Sequence, residues 1–310
     1  MVTAGGKIAA LAWTQAGAIR RSVARGALSL RAHPALSAPQ TPVAQPSALF
    51  SQRQVRRLSG YAHRMARADD RLLRRLADPR IRGLRTWEYG MLLGYLRHRG
   101  LKPERALDVG TGDSAFPRYL VASGAVGRIT TLDLPQALEE QAADSAARAA
   151  ASGVEQLVGS MLDIPAPDAS FDLVTCISAI EHLDGQPSPA VTRSHQRFLA
   201  DTTVALGEMA RVLRPGGLLY LTTDAYLPER QTTDGWAKFD SGGVIWSAYR
   251  FDDIEPTFVE TLATAGLRPV APPELDRRLL VADPGRSTFR GRYFTTFALL
   301  GERADAPRLR

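Results

Sequence analysis

Cysteine is almost missing from this chain. Its 310 residues include one, Cys176, which excludes an intrachain disulfide and any cysteine-built metal cluster. Long apolar runs are also missing. No stretch reaches the about 18 residues that a spanning helix needs, although 45% of residues are hydrophobic, an ordinary share for a globular protein. No His/Asp/Glu group shows metal-ligand spacing, so no metal is expected. Acidic residues are missing from the front: Asp69 is the first, after ten Lys/Arg. Residues 1–106 carry 20 Lys/Arg against 5 Asp/Glu, a balance of +15, and residues 107–310 carry 19 against 27, a balance of −8. A basic excess ordinarily suggests a nucleic-acid partner. Here the excess belongs to the front third and the ligand-binding motifs lie in the acidic remainder, so no nucleic acid is expected.

Residues 1–50 are expected to be a disordered basic extension. His33–Pro46 is proline-rich and poor in apolar residues, a composition that does not form a core. The arginine, alanine and serine content is also that of an organelle transit peptide; a later start at Met65 is another reading. Arg20, Arg21, Arg25 and Arg31 interrupt any secretory apolar core. The expected location is the cytoplasm, with organelle import as the alternative. Residues 51–100 are expected to be amino-terminal helices. One covers Gln52–Ala77, with an apolar stripe of Val55, Leu58, Ala62, Met65, Leu72 and Leu76. Another covers Trp87–Arg99 and is broken at Lys102-Pro103.

From residue 101 to 310, strand and helix patterns alternate. Ala106–Val109 is an apolar run ended by Gly110-Thr111-Gly112, read as a buried strand and a tight turn, with a helix starting near Pro117. Strands are expected at Arg128–Leu132, Gln156–Val158, Phe171–Ser178, Leu218–Thr222 and Tyr293–Leu300. Helices are expected at Pro135–Ala151, His195–Leu213 and Phe251–Ala265. Strands alternating with helices imply a parallel sheet covered on both faces.

In such a sheet ligands sit at the carboxyl ends of the strands. Asp108 and the Gly110/Gly112 turn end the first strand. Asp133 ends the second, 21 residues after Gly112, a spacing that suits a ribose-binding carboxylate. Asp163 follows the third and Ser178 ends the fourth. Each also has a local reading: Asp133 as a helix cap before Pro135, Asp163 as a turn residue before Pro165. A dinucleotide would place a pyrophosphate on the Gly loop. Ala115 tolerates that, but the carboxylate of Asp113 argues against it and suits a cationic, phosphate-free ligand.

These motifs together resemble the class I S-adenosylmethionine-dependent methyltransferases over roughly residues 85–300. Leu107-Asp108-Val109-Gly110-Thr111-Gly112 is similar to the family's first motif, and Thr131-Leu132-Asp133-Leu134 to its second-strand acid. Asp163-Ile164-Pro165 with Ser170–Val174 is similar to the adenine-side loop and fourth strand. Glu208–Leu219, through Pro215-Gly216-Gly217, is similar to the helix–turn–fifth-strand signature. The resemblance implies an α/β, Rossmann-like, doubly wound, seven-stranded and mostly parallel sheet with one antiparallel strand at Tyr293–Leu300. It implies S-adenosylmethionine as cofactor. Gly110 and Gly112 would hold its methionine part, with Asp108 near the amino group. Asp133 and Leu134 would bind the ribose side, Asp163 the adenine amino group, and Leu162 would lie against the ring. Ser178 and the loop after it would face the sulfonium and the acceptor. Trp87-Glu88-Tyr89 would lie beside or over the pocket.

Methyl transfer from a sulfonium is an in-line displacement that depends mainly on alignment. A base helps only if the acceptor must lose a proton early. His182 and Glu181, just past the fourth strand, are the candidates, and structural loop roles are their alternative. Trp236, Trp246 and Tyr249 would either wall an acceptor pocket or cover the sheet edge, and Arg250 would pair with an acidic group. No Asn/Asp-Pro-Pro-aromatic motif follows the fourth strand, so the amino-group DNA methyltransferases are not resembled. The expected acceptor is O or N of a small molecule or of a glycan or lipid precursor. A non-catalytic cofactor-binding scaffold is a second reading and a nicotinamide-dependent oxidoreductase a third. The oligomeric state is not legible.

Overall fold

In the computed structural model, strand β2 (Arg105–Val109) lies mid-sheet, its last four residues buried. The structure describes residues 40–78, 81–135, 153–184, 195–227, 237–241, 244–282 and 294–304. The helix expected at Pro135–Ala151 and the residues Trp236 and Tyr293 lie wholly or largely outside these ranges, as does most of the expected extension. The remaining strands are β1 (Ala48–Leu49), β3 (Arg128–Asp133), β4 (Val154–Val158), β5 (Phe171–Ile177), β6 (Leu213–Tyr226), β7 (Ala237–Ser241), β8 (Val244–Arg250), β9 (Leu267–Pro269) and β10 (Phe294–Arg303).

The sheet order is β1-β10-β6-β5-β2-β3-β4. Strands β4, β3, β2, β5 and β6 are parallel, and β10 runs antiparallel to β6. With β9, antiparallel on β10, these form the seven strands expected. Strand β1 and the β7–β8 hairpin bring the described sheet to ten strands. From β2 the chain winds outward through β3 and β4, then crosses back to β5 and β6. The order therefore reverses between β2 and β5, which is where an open α/β sheet leaves a ligand crevice.

Side-chain alternation sends successive residues to opposite faces. Ala106, Leu173, Leu218 and Ala298 join the core on one face, under the amino-terminal helices. Leu107, Val174, Leu219 and Leu299 join the core on the other, under α5 (His195–Val212). The amino-terminal helices are α1 (Gln52–Ala68), α2 (Asp70–Ala77) and α3 (Arg82–Arg99). The single helix expected over Gln52–Ala77 is broken at Asp69. Asp69 is extended, and its carboxylate accepts from the amides of Arg71 and Leu72, capping α2.

Other elements also depart from expectation. Residues 47–50 belong to the fold: Ala48 and Leu49 pair with Ala298 and Phe297, and the Phe50 ring meets Trp87 edge-on at 5.6 Å. The expected helix Phe251–Ala265 is a 3-10 turn at Phe251–Asp253, a π turn at Glu255–Val259 and α6 at Glu260–Thr264. Pro256 lacks the amide an α turn would use, and the ladder widens there. Strand β6 begins at Leu213, before Pro215-Gly216-Gly217, and runs four residues beyond Thr222.

Candidate functional site

The loop after β2 is built on two left-handed glycines. Gly110 has φ +71° and Gly112 has φ +54°. A Cβ on Gly110 would lie 2.6 Å from the Ala179 Cβ, in the turn after β5. A Cβ on Gly112 would meet no atom within 4 Å, so that backbone is open to a ligand. The Gly112 amide donates to Asp133 Oδ2 at 3.0 Å, and the Gly110 amide to the Leu132 carbonyl at 2.8 Å, joining the ends of β2 and β3. Asp108 is buried. Its Oδ1 accepts from Thr175 Oγ1 at 2.5 Å and its Oδ2 from Thr111 Oγ1 at 2.6 Å. Burial pushes its pKa up to about 6, with the two hydroxyls partly offsetting. Helix α4 (Phe116–Ala122) follows the loop.

Asp133 is buried beside this loop, and Leu134 is half-buried after it. Asp163 is exposed, in a turn where its amide donates to the Ser160 carbonyl at 3.1 Å. Leu162 is half-buried against the α5-side core. Helix α5 clamps the chain just after them. Glu208 Oε2 accepts from the Ile164 amide, and Arg211 Nη2 donates to the Ile164 carbonyl, both at 2.9 Å. Arg211 Nη1 reaches the Ala166 carbonyl at 2.9 Å and Asp168 at 2.6 Å. The Arg211 guanidinium holds the Glu208 carboxyl below the usual range. This clamp was readable only as a sequence signature, not as a contact.

The turn after β5 begins with Ser178 at φ +47°. Its amide donates to the Thr222 carbonyl at 3.0 Å, and its hydroxyl donates to Glu88 Oε1 at 2.6 Å. Its hydroxyl is therefore engaged with α3. Glu88 is fully buried. Thr222 Oγ1 donates to the same Oε1 at 2.7 Å, and Arg85 Nη1 to Oε2 at 2.7 Å. Glu181 and His182 lie on the 3-10 turn Ile180–Asp184. Glu181 is 2% exposed and accepts from Thr223 Oγ1 at 2.8 Å; His182 is half-buried. Asp224, also buried, accepts from Thr296 Oγ1 at 2.5 Å. Burial above all pushes Glu181 and Asp224 up to about 7. Sequence reasoning placed Glu88 beside the pocket without giving it a role, and it gave no individual role to Arg85 or Asp224. The available signal was an acid and a base inside the apolar pattern of α3.

The amino-terminal helices do lie beside the Gly loop. The Tyr89 ring stacks on Phe116 at 4.0 Å, and its hydroxyl is 3.3 Å from Ser114 Oγ. Arg75 pairs with Asp113 at 2.5 Å, although Asp113 is 82% exposed. That cation offsets the charge on which the argument against a pyrophosphate rested. Tyr249 is buried, stacked on Phe198 at 4.7 Å and 2.8 Å from Thr202 Oγ1, so it covers the sheet. Arg250 is exposed. The side chain of Trp246 lies outside the described residues. No helix among the described residues is long and apolar enough to cross a membrane.

A family model for a methyltransferase domain matches residues 107–221. The chain is 34% identical over 135 residues to the ubiquinone/menaquinone biosynthesis C-methyltransferase of Methylobacterium nodulans, covering 43% of this chain and 46% of that one. It is 34% identical over 138 residues to the demethylmenaquinone methyltransferase of Deinococcus radiodurans, covering 44% and 48%. It is 28% identical over 137 residues to the malonyl-[acyl-carrier protein] O-methyltransferase of Serratia marcescens, covering 44% and 45%. The match thus spans just under half the length of these curated relatives. The matched stretch contains the Gly loop, the acids after β2, β3 and β4, and the Pro-Gly-Gly signature. Over residues 107–221 the chain is therefore similar to methyltransferase domains.

Proposed function

We propose that this protein transfers a methyl group from S-adenosylmethionine to O or N of a small-molecule acceptor. The observation that carries the reading is the open Gly112 backbone, held by Asp133 at the point where the strand order reverses. When bound, the cofactor supplies a methyl group already activated by its sulfonium charge. The chain's own residues then hold and align. Asp108, Gly110 and Gly112 take the methionine part. Asp133 and Leu134 take the ribose side, and Leu162 and Asp163 take the adenine. Asp108 has both oxygens engaged by threonine hydroxyls, so its carboxylate is held still for a ligand ammonium. Two buried acids near neutrality, Glu181 and Asp224, stand by the turn that faces the acceptor, in the range that suits proton transfer. His182, on the same turn, is the second candidate base. The relatives' names, which cover quinone biosynthesis and a carrier-bound malonyl group, support a metabolite or lipid-precursor acceptor.

The test begins with thermal shift. S-adenosylhomocysteine is expected to raise the Tm and NAD is not; a shift with NAD alone would overturn the reading. Asp133→Asn is expected to weaken S-adenosylhomocysteine at least about tenfold, or about 1.4 kcal/mol, by titration calorimetry. Methyl transfer from labelled cofactor into a metabolite extract then separates an enzyme from a binding scaffold.

A further inference from the structure

We propose that Glu88, from the amino-terminal helices, is the positioning residue of the turn after β5, fixing through Ser178 where Glu181 and His182 stand. The proposal rests on the methyl-transfer reading above and extends the site to a part of the chain outside the matched domain. A fully buried carboxylate is retained only where its charge and lone pairs are answered, and here every answer comes from a different element. Arg85 answers from α3, Ser178 from the end of β5, and Thr222 from β6. Tyr220 of β6 also donates to the Glu88 carbonyl at 2.8 Å, locking the helix backbone to the strand.

The neighbours of Glu88 in sequence make the anchor rigid. Consecutive helix residues point about 100° apart. Trp87 therefore turns to α1, where its Nε1 donates to Gln54 at 2.7 Å. Tyr89 turns to the Gly loop at Ser114. Glu88, between them, reaches the end of β5 and Thr222 inside β6. On the receiving side, Ser178 holds a left-handed backbone without being glycine, a conformation that persists only when its surroundings enforce it. Its amide is held by Thr222 and its hydroxyl by Glu88. The next residue, Ala179, is pressed against Gly110. One carboxylate thus sets the distance between the Gly loop and the turn that carries the candidate bases.

Glu88 also acts on those bases through its charge. The groups facing the cluster are Arg85 of α3, Glu181 of the turn, Asp224 and Tyr220 of β6, Tyr249 of β8, Cys176 of β5 and Asp108 of β2. The Glu88 charge raises both Glu181 and Asp224, and the Arg85 charge lowers both.

Glu88→Gln keeps the shape but loses the charge and one of the two acceptor oxygens, so it cannot answer Arg85 and Ser178 together. Three readouts are taken on the full chain. S-adenosylhomocysteine affinity by calorimetry is expected to be unchanged. Methyl transfer from labelled cofactor into a metabolite extract is expected to fall about 10- to 100-fold in kcat, with KM for the cofactor unmoved, as a displaced turn requires. The pH at which the Tm declines is expected to move down in Glu88→Gln and up in Arg85→Gln. A wild-type kcat, or a Tm lowered equally at every pH, overturns the proposal, because a packing role moves neither rate nor titration. If Glu88→Gln does not fold, the double variant Glu88→Gln/Arg85→Gln removes both charges together; wild-type turnover in it overturns the proposal as well. Failure of the unsubstituted chain to bind S-adenosylhomocysteine would instead sink the methyl-transfer reading.

Discussion

Gly110 carries two separate requirements. Its φ of +71° costs a residue with a Cβ about 1–2 kcal/mol, and Ala179 leaves that Cβ no room. Gly110→Ala is therefore expected to destabilise the protein by about 2–4 kcal/mol, adding an overpacking cost to the backbone cost. Denaturant unfolding would show this as a lower midpoint at unchanged slope. A midpoint within error of wild type would contradict the close approach of the two loops. The places of Gly110, Asp108 and Asp133 at the strand ends were legible because they follow from apolar runs a few residues long and from a spacing the βαβ unit imposes. Ser178 was legible as a strand end but not as a partner of Glu88, which lies 90 residues earlier. No local pattern encodes that contact. Asp113 shows the opposite failure, for its charge was visible in the sequence but its partner Arg75 was not.

Among the elements, strands were legible where apolar runs end in glycine or acid, as in β2, β3 and β5. Helix interruptions were not. Asp69 reads as an ordinary polar position within the helix expected over Gln52–Ala77, yet its carboxylate caps α2 and pairs with Arg118 of α4 at 2.8 Å. The α5 clamp on residues 164–168 is a similar case. Glu208 and Arg211 are one helical turn apart, so either a surface pair or a clamp is consistent with the spacing. Their contacts with the Ile164 backbone decide for the clamp. Arg211→Met is expected to loosen the loop carrying Leu162 and Asp163. It should weaken S-adenosylhomocysteine about 3- to 10-fold, or about 0.7–1.4 kcal/mol, with little change in Tm, since Arg211 is itself part-exposed. Calorimetry beside a melting curve would separate the two effects.

At the scale of the whole molecule, the buried acids set the pH dependence of stability. Glu181 rises from 4.5 to about 7, Asp224 from 3.8 to about 7 and Asp108 from 3.8 to about 6, in each case chiefly through burial. The folded state therefore binds more protons than the unfolded state between about pH 4 and 7, and stability falls as pH rises through that window. The Tm is expected to be higher near pH 5 than near pH 8, measured by calorimetric scans at fixed ionic strength; a Tm that rises across that window would contradict the burial of these groups. The chain start offers a second whole-molecule test. A chain beginning at Gln40 is expected to keep its Tm and its S-adenosylhomocysteine affinity. A chain beginning at Ser51 loses Leu49 and Phe50 from the core, about 1.5–3 kcal/mol each, and its Tm is expected to drop. By itself the sequence determined the alternation of strands and helices, the Gly loop, the acids at the strand ends and the basic front. Those follow from periodicity, turn chemistry and charge, which are local. Only the tertiary structure decided that residues 47–50 close the edge of β10, that α3 delivers Glu88 to the end of β5 and to the interior of β6, and that three carboxylates share one buried region with Arg85. These contacts join positions far apart in the chain, and their energies come from desolvation, which exists only once the elements have packed.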